Sequence, residues 1–166
     1  FLAAVVAAGP AQALTISAKS SFSGDGWLSP AEYSHLDNSP GADLARGFAY
    51  NPASGNLLLV SRDGGTSVRV LSSSSGAETG TLNLGSGVIT GGTFQANMIA
   101  AADDGAIYMC NLASPVSTAT FKVYRWSNEL ATPTLAFSSN TVSTGRLGDT
   151  FDAIRAGSAT LLLAGE

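Results

Sequence analysis

The feature that most constrains this chain is a pattern of four short strands that occurs twice and starts a third time. In residues 46–82, four apolar and β-branched segments are separated by turns rich in Gly, Asn, Ser and Pro. The run Gly55–Val60 (GNLLLV) has a counterpart 50 positions later in Gly105–Cys110 (GAIYMC). Four-stranded units that recur at about 50 residues predict a β-propeller, in which each sheet packs face to face on its neighbours.

The predicted fold class is all-β, a β-propeller fragment of about two and a half four-stranded antiparallel blades. The predicted boundaries are 44–85 for blade 1, 94–139 for blade 2 and 145–166 for a truncated blade 3. Strands are predicted at 47–50, 56–61, 67–71 and 78–84, at 97–102, 106–111, 120–126 and 134–138, and at 150–154 and 159–164. Because such repeats need neighbours to cover their apolar faces, we expect the isolated chain to associate. The remaining blades of its own chain are the expected partners of those faces.

Residues 14–43 precede the first blade and are predicted to form an N-terminal strand and a short helical connector. Leu14–Lys19 (LTISAK) alternates apolar and polar residues, as a half-buried strand does. Ser29 suits a helix N-cap, Pro30 the first helical position and Glu32 the capping-box partner. This pattern predicts one or two helical turns.

Residues 1–13 (FLAAVVAAGPAQA) have the composition of the second half of a signal peptide. They are small and apolar, and Ala11–Ala13 has the small-x-small pattern that signal peptidase accepts. A buried first helix is the alternative. The run is too short to cross a bilayer, for which about 20 residues are needed. We therefore expect a secreted or cell-surface protein without a transmembrane segment in its mature part, represented here by a fragment cut at both ends.

Charge and rare residues exclude some classes of function. The net charge of -4 and the charged fraction of 12% provide no basic surface for nucleic acid. Cys110 is the only cysteine, so no internal disulfide can form, and its apolar strand predicts a packed thiol. His35 is the only histidine and has no Cys nearby, so neither a transition-metal site nor a catalytic triad is predicted. No cofactor and no catalytic residue is predicted.

Residues 21–32 have the spacing of a calcium-binding loop. Counting Ser21 as position 1 places Asp25 at position 5 and Glu32 at position 12, where such loops have ligands. However, position 1 holds a hydroxyl rather than a carboxylate, and a strand pattern precedes the loop where an entering helix is expected. Calcium binding by Asp25 and Glu32 is therefore kept as the minor alternative.

Five segments along the chain carry a family resemblance: GDGWLSPAEY, RGFAYNPASGNLLLVSR, DDGAIYMCNL, FKVYRW and GRLGDTFD, in this order. Together they resemble secreted bacterial β-propellers of uncharacterised function, many of which end in a PEP-CTERM sorting tail. The resemblance covers nearly all of the chain after residue 13. It implies a seven- or eight-bladed extracellular propeller with no established activity, and a sorting tail that would lie beyond Glu166.

Propellers usually bind ligands on the face where the central channel opens. The loops between successive blades and the loops between second and third strands form this face. We predict that seven polar residues lie on this face: Arg46, Arg62, Asp63, Asn97, Asn111, Asp149 and Asp152. The functional interpretation is a rim that binds sugar or peptide. The alternative is solvated loop residues or hydrogen bonds between blades.

The predicted function is a secreted binding or surface-structural module, with an extracellular glycan or matrix component as the expected partner. The rival prediction is an extracellular hydrolase or lyase that acts on polysaccharide or lactone at the channel face, since propellers also carry such reactions. An enzyme would need several acidic or histidine side chains that converge on the channel. A binding or structural module has no such requirement.

Overall fold

The computed structural model describes residues 17–37, 39–156 and 159–166. The predicted leader at 1–13, residues 14–16 of the predicted first strand and the predicted turn at 157–158 lie outside the described residues. The described part of the chain contains ten strands: β1 Ala45–Asn51, β2 Asn56–Ser61, β3 Ser67–Ser72, β4 Glu78–Thr81, β5 Phe94–Ala101, β6 Ile107–Leu112, β7 Phe121–Trp126, β8 Thr134–Ser139, β9 Thr150–Ala156 and β10 Ala159–Gly165.

The strands form three antiparallel sheets, and within each sheet the strands follow chain order. The first sheet contains β1 to β4, the second contains β5 to β8, and the third contains β9 and β10. Over the described residues there is no α-helix, and nothing helical is long and apolar enough to cross a membrane. The all-β prediction is confirmed, and the ends of each predicted strand from residue 47 onward are placed within three residues.

Alternating side chains build two apolar cores, one on each side of the second sheet. Between the first and second sheets, Leu58 and Val60 of β2 pack in one cluster with Met109 and Trp126. Between the second and third sheets, the cluster contains Tyr108, Cys110, Val123 and Ala153, among others. Every residue of β6 is buried, because the second sheet has protein on both faces. This explains why the β6 sequence, IYMCNL, is apolar at consecutive positions rather than at alternate ones.

The predicted N-terminal strand is wrong over Ser17–Lys19, which pair with no strand among the described residues. The segment that follows them bonds instead to the turn between β3 and β4. The Ser21 hydroxyl donates to the carbonyl oxygen of Ser74 at 2.9 Å, and the Ser23 N–H donates to that of Ser75 at 2.9 Å. Within the described part of the chain, Ser17–Lys19 thus lack the strand pairing that the alternating pattern of residues 14–19 predicted.

The predicted helical turns of the connector are replaced by a turn at residues 29–33 and a 3-10 helix at Ser34–Leu36. Part of the predicted capping box exists, because the Ser29 N–H donates to Oε2 of Glu32 at 2.8 Å. The Ser29 hydroxyl, however, donates to the same carboxylate oxygen. The turn leads into the 3-10 helix, whose N-cap residue, Tyr33, forms no side-chain capping hydrogen bond.

The first strands of the three sheets lie next to one another, with β1 against β5 and β5 against β9. Gly47 sits where β1 and β5 meet. A Cβ atom at this position would come within 2.6 Å of the carbonyl oxygen of Asn97 and of the Cα of Met98. Only glycine allows the two backbones to come this close. The starts of these strands therefore converge, and the side chains there can meet.

Candidate functional site

The starts of β1 and β5 and the end of β2 bring two arginines to one aromatic ring. Arg46 is the second residue of β1, Arg62 follows the last residue of β2, and Phe94 is the first residue of β5. The guanidinium carbon of Arg62 lies 4.0 Å from the centroid of the Phe94 ring, and that of Arg46 lies 4.7 Å from it. Both distances are within the range of a cation–π interaction. We call Arg46, Arg62 and Phe94 the arginine cluster.

Asn97 fixes the position of Arg46. The Asn97 side chain is fully buried, and its Oδ1 accepts a hydrogen bond from Nε of Arg46 at 2.8 Å. Its Nδ2 donates to the carbonyl oxygen of Gly148 at 2.5 Å. Because both ends of this buried amide are bonded, its orientation is fixed. Asn97 thus connects β1, β5 and the segment before β9, and acts on the cluster by positioning Arg46.

A second charged pair lies beside the cluster, in the segment before β9. Nη2 of Arg146 donates to Oδ1 of Asp149 at 2.8 Å, and Nε of Arg146 donates to Oδ2. These hydrogen bonds lower the pKa of Asp149, and the charge of Arg46 lowers it further. Burial and the charge of Arg62 lower the pKa of Arg46, and the carboxylates of Asp43 and Asp149 oppose this shift. Three of the eight Lys and Arg residues of the chain are gathered here.

The strands that carry the cluster are irregular where the cluster forms. The pairing of β1 with β2 shifts register between Ala45 and Phe48, and the pairing of β5 with β6 shifts between Phe94 and Met98. Extra residues therefore bulge out at the start of β1 and at the start of β5, and such bulges redirect side chains. No feature of the sequence marked these bulges, because they depend on the register with the next strand.

Two of the predicted site residues have partners outside the cluster. Asn111 is buried, its Nδ2 donates to the carbonyl oxygen of Thr120 at 2.9 Å, and its Oδ1 accepts from the N–H of Lys122 at 2.9 Å. It therefore links β6 to the start of β7. Asp152 is exposed on β9, and its Oδ1 accepts from the N–H of Ala153 at 2.8 Å. The structure thus brings Arg46, Arg62, Asn97 and Asp149 together, but not Asn111 or Asp152.

Asp63 belongs to a different polar cluster, between the connector and the first sheet. Its carboxylate accepts from the Ser34 hydroxyl at 2.9 Å and lies 3.8 Å from Nη2 of Arg69. Arg69 also forms an ion pair with Glu78 at 3.0 Å. His35 is 3% exposed, with Nδ1 4.0 Å from the Glu78 carboxylate and no hydrogen-bond partner for Nε2 in the described part of the chain. Burial lowers the pKa of His35, and the charge of Arg69 lowers it further.

In the predicted calcium loop both carboxylates accept hydrogen bonds from within the loop. Oδ1 of Asp25 accepts from the N–H of Trp27 at 3.0 Å. Glu32 accepts from the hydroxyls of Ser23 and Ser29 and from the Ser29 N–H, and these hydrogen bonds lower the pKa of Glu32. Residues 17–37, 39–156 and 159–166 contain no group of three or more His, Cys, Asp or Glu side chains placed to hold a metal ion.

Cys110 lies inside the core between the second and third sheets and is fully buried. Burial raises the pKa of its thiol to about 12. A thiol with so high a pKa is protonated at neutral pH and is a poor nucleophile. The packed, inert thiol expected from the sequence is what the structure contains.

Sequence reasoning missed two side chains, Phe94 and Glu129. An aromatic residue at the start of a strand is more often part of a core, so nothing distinguished Phe94. Glu129 lies in the loop between β7 and β8 and accepts from Nδ2 of Asn51 at 2.7 Å, from Nδ2 of Asn56 at 2.8 Å and from the Ser54 hydroxyl. It connects the second sheet to the β1–β2 turn, at the end of the sheets opposite the arginine cluster. A single Glu in a polar loop gives no signal of such a role.

One apolar cavity, of about 320 Å³, lies between the second and third sheets. Its lining includes Phe121, Phe137, Phe151 and Leu162. Because its walls carry no charged or amide side chain, it does not coincide with the predicted polar site. The candidate functional site is the arginine cluster, because with Asn97 and Asp149 beside it this region gathers four of the seven predicted polar residues.

The fold and the cluster define an all-β protein of repeated antiparallel sheets, with basic side chains where the first strands of those sheets begin. The chain belongs to the DUF4623 family, described as a domain of unknown function, whose family model matches residues 30–158. Among proteins with curated descriptions, none matches the chain.

The chain is also similar to a solved structure of a DUF4623 family protein from Bacteroides eggerthii. The sequence identity is 21% and the TM-score is 0.55. The match covers 71% of this chain and 28% of that one, so this chain spans little more than a quarter of the length of its structural relative. At this identity the similarity concerns the fold alone.

Proposed function

We propose that the chain forms part of a β-propeller that acts as an extracellular binding module. Three features support the propeller: both four-stranded sheets have the same strand order, the third sheet repeats their first two strands, and β1, β5 and β9 are neighbours. In a propeller the sheets surround a central channel. Adjacent first strands are what such an arrangement requires.

Further sheets are part of this proposal, because three sheets do not form a ring. The length of the Bacteroides relative, of which this chain spans 28%, agrees with a protein that contains more sheets than those described. Secretion is proposed from residues 1–13 and from the family resemblance of the sequence. Sorting through a PEP-CTERM tail is proposed from the resemblance alone.

The arginine cluster is the observation that carries the binding role. Arg46 and Arg62 are half-buried and converge where the chain enters β1 and leaves β2. Neither arginine forms an ion pair with a residue of the described ranges. Asn97 holds Arg46 in place, so this side chain loses less conformational entropy when a ligand binds. We propose that these donors bind polar groups of an extracellular glycan.

The rival hydrolase or lyase has less support from this site. A general acid needs a carboxyl group with a pKa near the working pH. The pKa of Asp149 is instead lowered by its hydrogen bonds with Arg146, so its carboxyl group is ionised at neutral pH. Asp152 lies on the exposed face of β9, where its carboxylate accepts a backbone N–H. Asp149 is therefore not in the protonated form that a general acid needs, and Asp152 does not belong to the arginine cluster.

A glycan array tests the binding function. We expect the chain to bind a subset of extracellular polysaccharide fragments and the R46Q/R62Q double variant to lose that binding. Arg125→Gln is the matched control, because Nε of Arg125 donates to the Tyr108 hydroxyl at 3.2 Å and takes no part in the cluster. If the array remains blank, the binding proposal fails. A parallel panel of polysaccharide and lactone substrates tests the rival function, a hydrolase or lyase. Turnover that Asp149→Asn abolishes would establish that function.

A further inference from the structure

We infer that the arginine cluster binds the carboxylate of an acidic sugar, so that the ligand is a glycan containing uronate residues. The inference rests on the proposed binding function and adds the chemical class of the ligand. Three observations support it. Two arginines lie against the Phe94 ring, neither forms an ion pair within the described residues, and β1 and β5 approach too closely at Gly47 for another strand to fit between them.

The charges of Arg46 and Arg62 repel each other at this site. Both guanidinium groups lie against the Phe94 ring, and both side chains are half-buried. Like charges at such a position are screened less than charges on an open surface. Two neighbouring carboxylates, those of Asp43 and Asp149, offset part of this repulsion. That of Asp149 is already paired with Arg146, and that of Asp43 forms no ion pair with either arginine. An anion between the two arginines would relieve the repulsion and accept charge-assisted hydrogen bonds from both.

The donors have the shape that a carboxylate requires. Guanidinium groups are planar and present their N–H donors as a fork that matches the two oxygens of a carboxylate. A guanidinium group over an aromatic ring keeps these in-plane donors available to a ligand. In the case of Arg46, Nε is held by Asn97, which fixes the direction in which the rest of the group points.

The backbone around the cluster does not suit a peptide ligand. A peptide that binds by strand addition needs a free strand edge. β1 and β5 are edge strands of their sheets, but they approach each other so closely at Gly47 that a Cβ there would lie 2.6 Å from the Asn97 carbonyl oxygen. No strand fits between them. The site therefore offers side-chain donors rather than backbone groups, which suits a carboxylate on a sugar ring.

Calorimetry with oligogalacturonate and its methyl ester tests the inference, because esterification removes the charge and retains the sugar. We expect the chain to bind the free acid at least about tenfold more tightly than the ester. Arg62→Gln should weaken binding of the acid by about tenfold or more, whereas Arg125→Gln should change it less than about twofold. Raising the salt concentration from low to high should weaken binding of the acid. Unfolding curves of both variants confirm that the fold is kept.

Other results of these measurements distinguish failure of the carboxylate assignment from failure of the proposed glycan-binding function. Equal binding of acid and ester, unaffected by Arg62→Gln, overturns the carboxylate assignment but retains a glycan-binding module. Tighter binding of a sulfated oligosaccharide or of tetra-aspartate than of oligogalacturonate also overturns it. If no oligosaccharide of any charge binds, both the inference and the proposed function fail.

Discussion

Gly47 is the residue on which the approach of the first two sheets depends. A methyl group at this position would meet the backbone of Asn97, Met98 and Ile99 at 2.6 to 2.7 Å. Backbone atoms paired in a sheet cannot move aside as a flexible side chain can. We expect Gly47→Ala to lower the free energy of unfolding by about 1–3 kcal/mol, the usual cost of overpacking. Urea denaturation followed by circular dichroism measures this change.

Gly80 provides the matched control for that substitution. It also lies in a strand, β4, but a Cβ there would meet no atom within 4 Å. Gly80→Ala should therefore change the free energy of unfolding by no more than about 0.5 kcal/mol. Equal effects of the two substitutions would show that the close approach at Gly47 does not limit the fold.

The sequence predicted which polar residues lie at the site, among them Arg46, Arg62 and Asn97, but it did not predict what each of them contacts. Asn97 lies in β5 and Asn111 in β6, and both are buried. Asn97 holds Arg46, whereas Asn111 bonds to the backbone of the adjacent strand. The difference depends on the bulge at the start of β5, and a bulge follows from register that the sequence does not display. Phe94 was missed because its contact partners come from the other sheet.

His35 of the connector is buried beside Glu78 of the first sheet, so its protonation is expected to affect stability. The pKa of His35 is lowered in the folded chain, first by burial and then by the charge of Arg69, whereas Glu78 and Asp63 act in the opposite direction. As the pH falls, the unfolded chain is therefore protonated at this site before the folded chain is. The stability contributed by His35 is complete above its ordinary pKa of 6.5 and is lost progressively as the pH falls below that value.

Thermal unfolding between pH 7.5 and 5.5 checks this pH dependence. We expect the midpoint of the wild-type chain to fall across this range and that of His35→Gln to fall less. Because His35 is the only histidine, the variant lacks any side chain whose ordinary pKa lies in that range. Parallel slopes for the two chains would mean that protonation of His35 does not loosen the connector. The slope, rather than the midpoint itself, is the relevant quantity, since the substitution also changes packing.

The elements were predicted well where a short run rich in apolar and β-branched residues is bounded by turn residues. In β2 and β3 the predicted ends agree with the structure to within one residue. The start of the connector was predicted poorly: Ser17–Lys19 continue a strand pattern, but among the described residues no strand pairs with them. Local preferences specify a strand only when a partner edge is available, and here the adjacent element is the β3–β4 turn.

At the scale of the whole molecule, the two outer sheets each have an apolar face that no described residue covers. On the first sheet, Phe48 and Tyr50 of β1 are 58% and 54% exposed. On the third sheet, Ile154, Leu161 and Leu163 are about half exposed. These side chains alternate with buried or half-buried residues of the same strands, so each set lies on one face. In the proposed propeller, neighbouring sheets would cover both faces.

These two faces lead to a prediction about the isolated chain. Burial of a large apolar side chain contributes about 1.5–3 kcal/mol, so faces of this kind favour contact between copies when nothing else covers them. We expect sedimentation velocity to show association that increases with protein concentration. Replacement of Phe48, Tyr50, Leu161 and Leu163 by Ser should shift the chain toward the monomer.

Leu130→Ser distinguishes association through the sheet faces from a general effect of apolar surface. Leu130 is 94% exposed, but it lies in the loop between β7 and β8, apart from either face. Its replacement should leave the sedimentation profile unchanged. A wild-type chain that stays monomeric at all concentrations and unfolds cooperatively would contradict the prediction. It would mean that three sheets form a stable unit without neighbours, and that the exposed faces are not places where further sheets must pack.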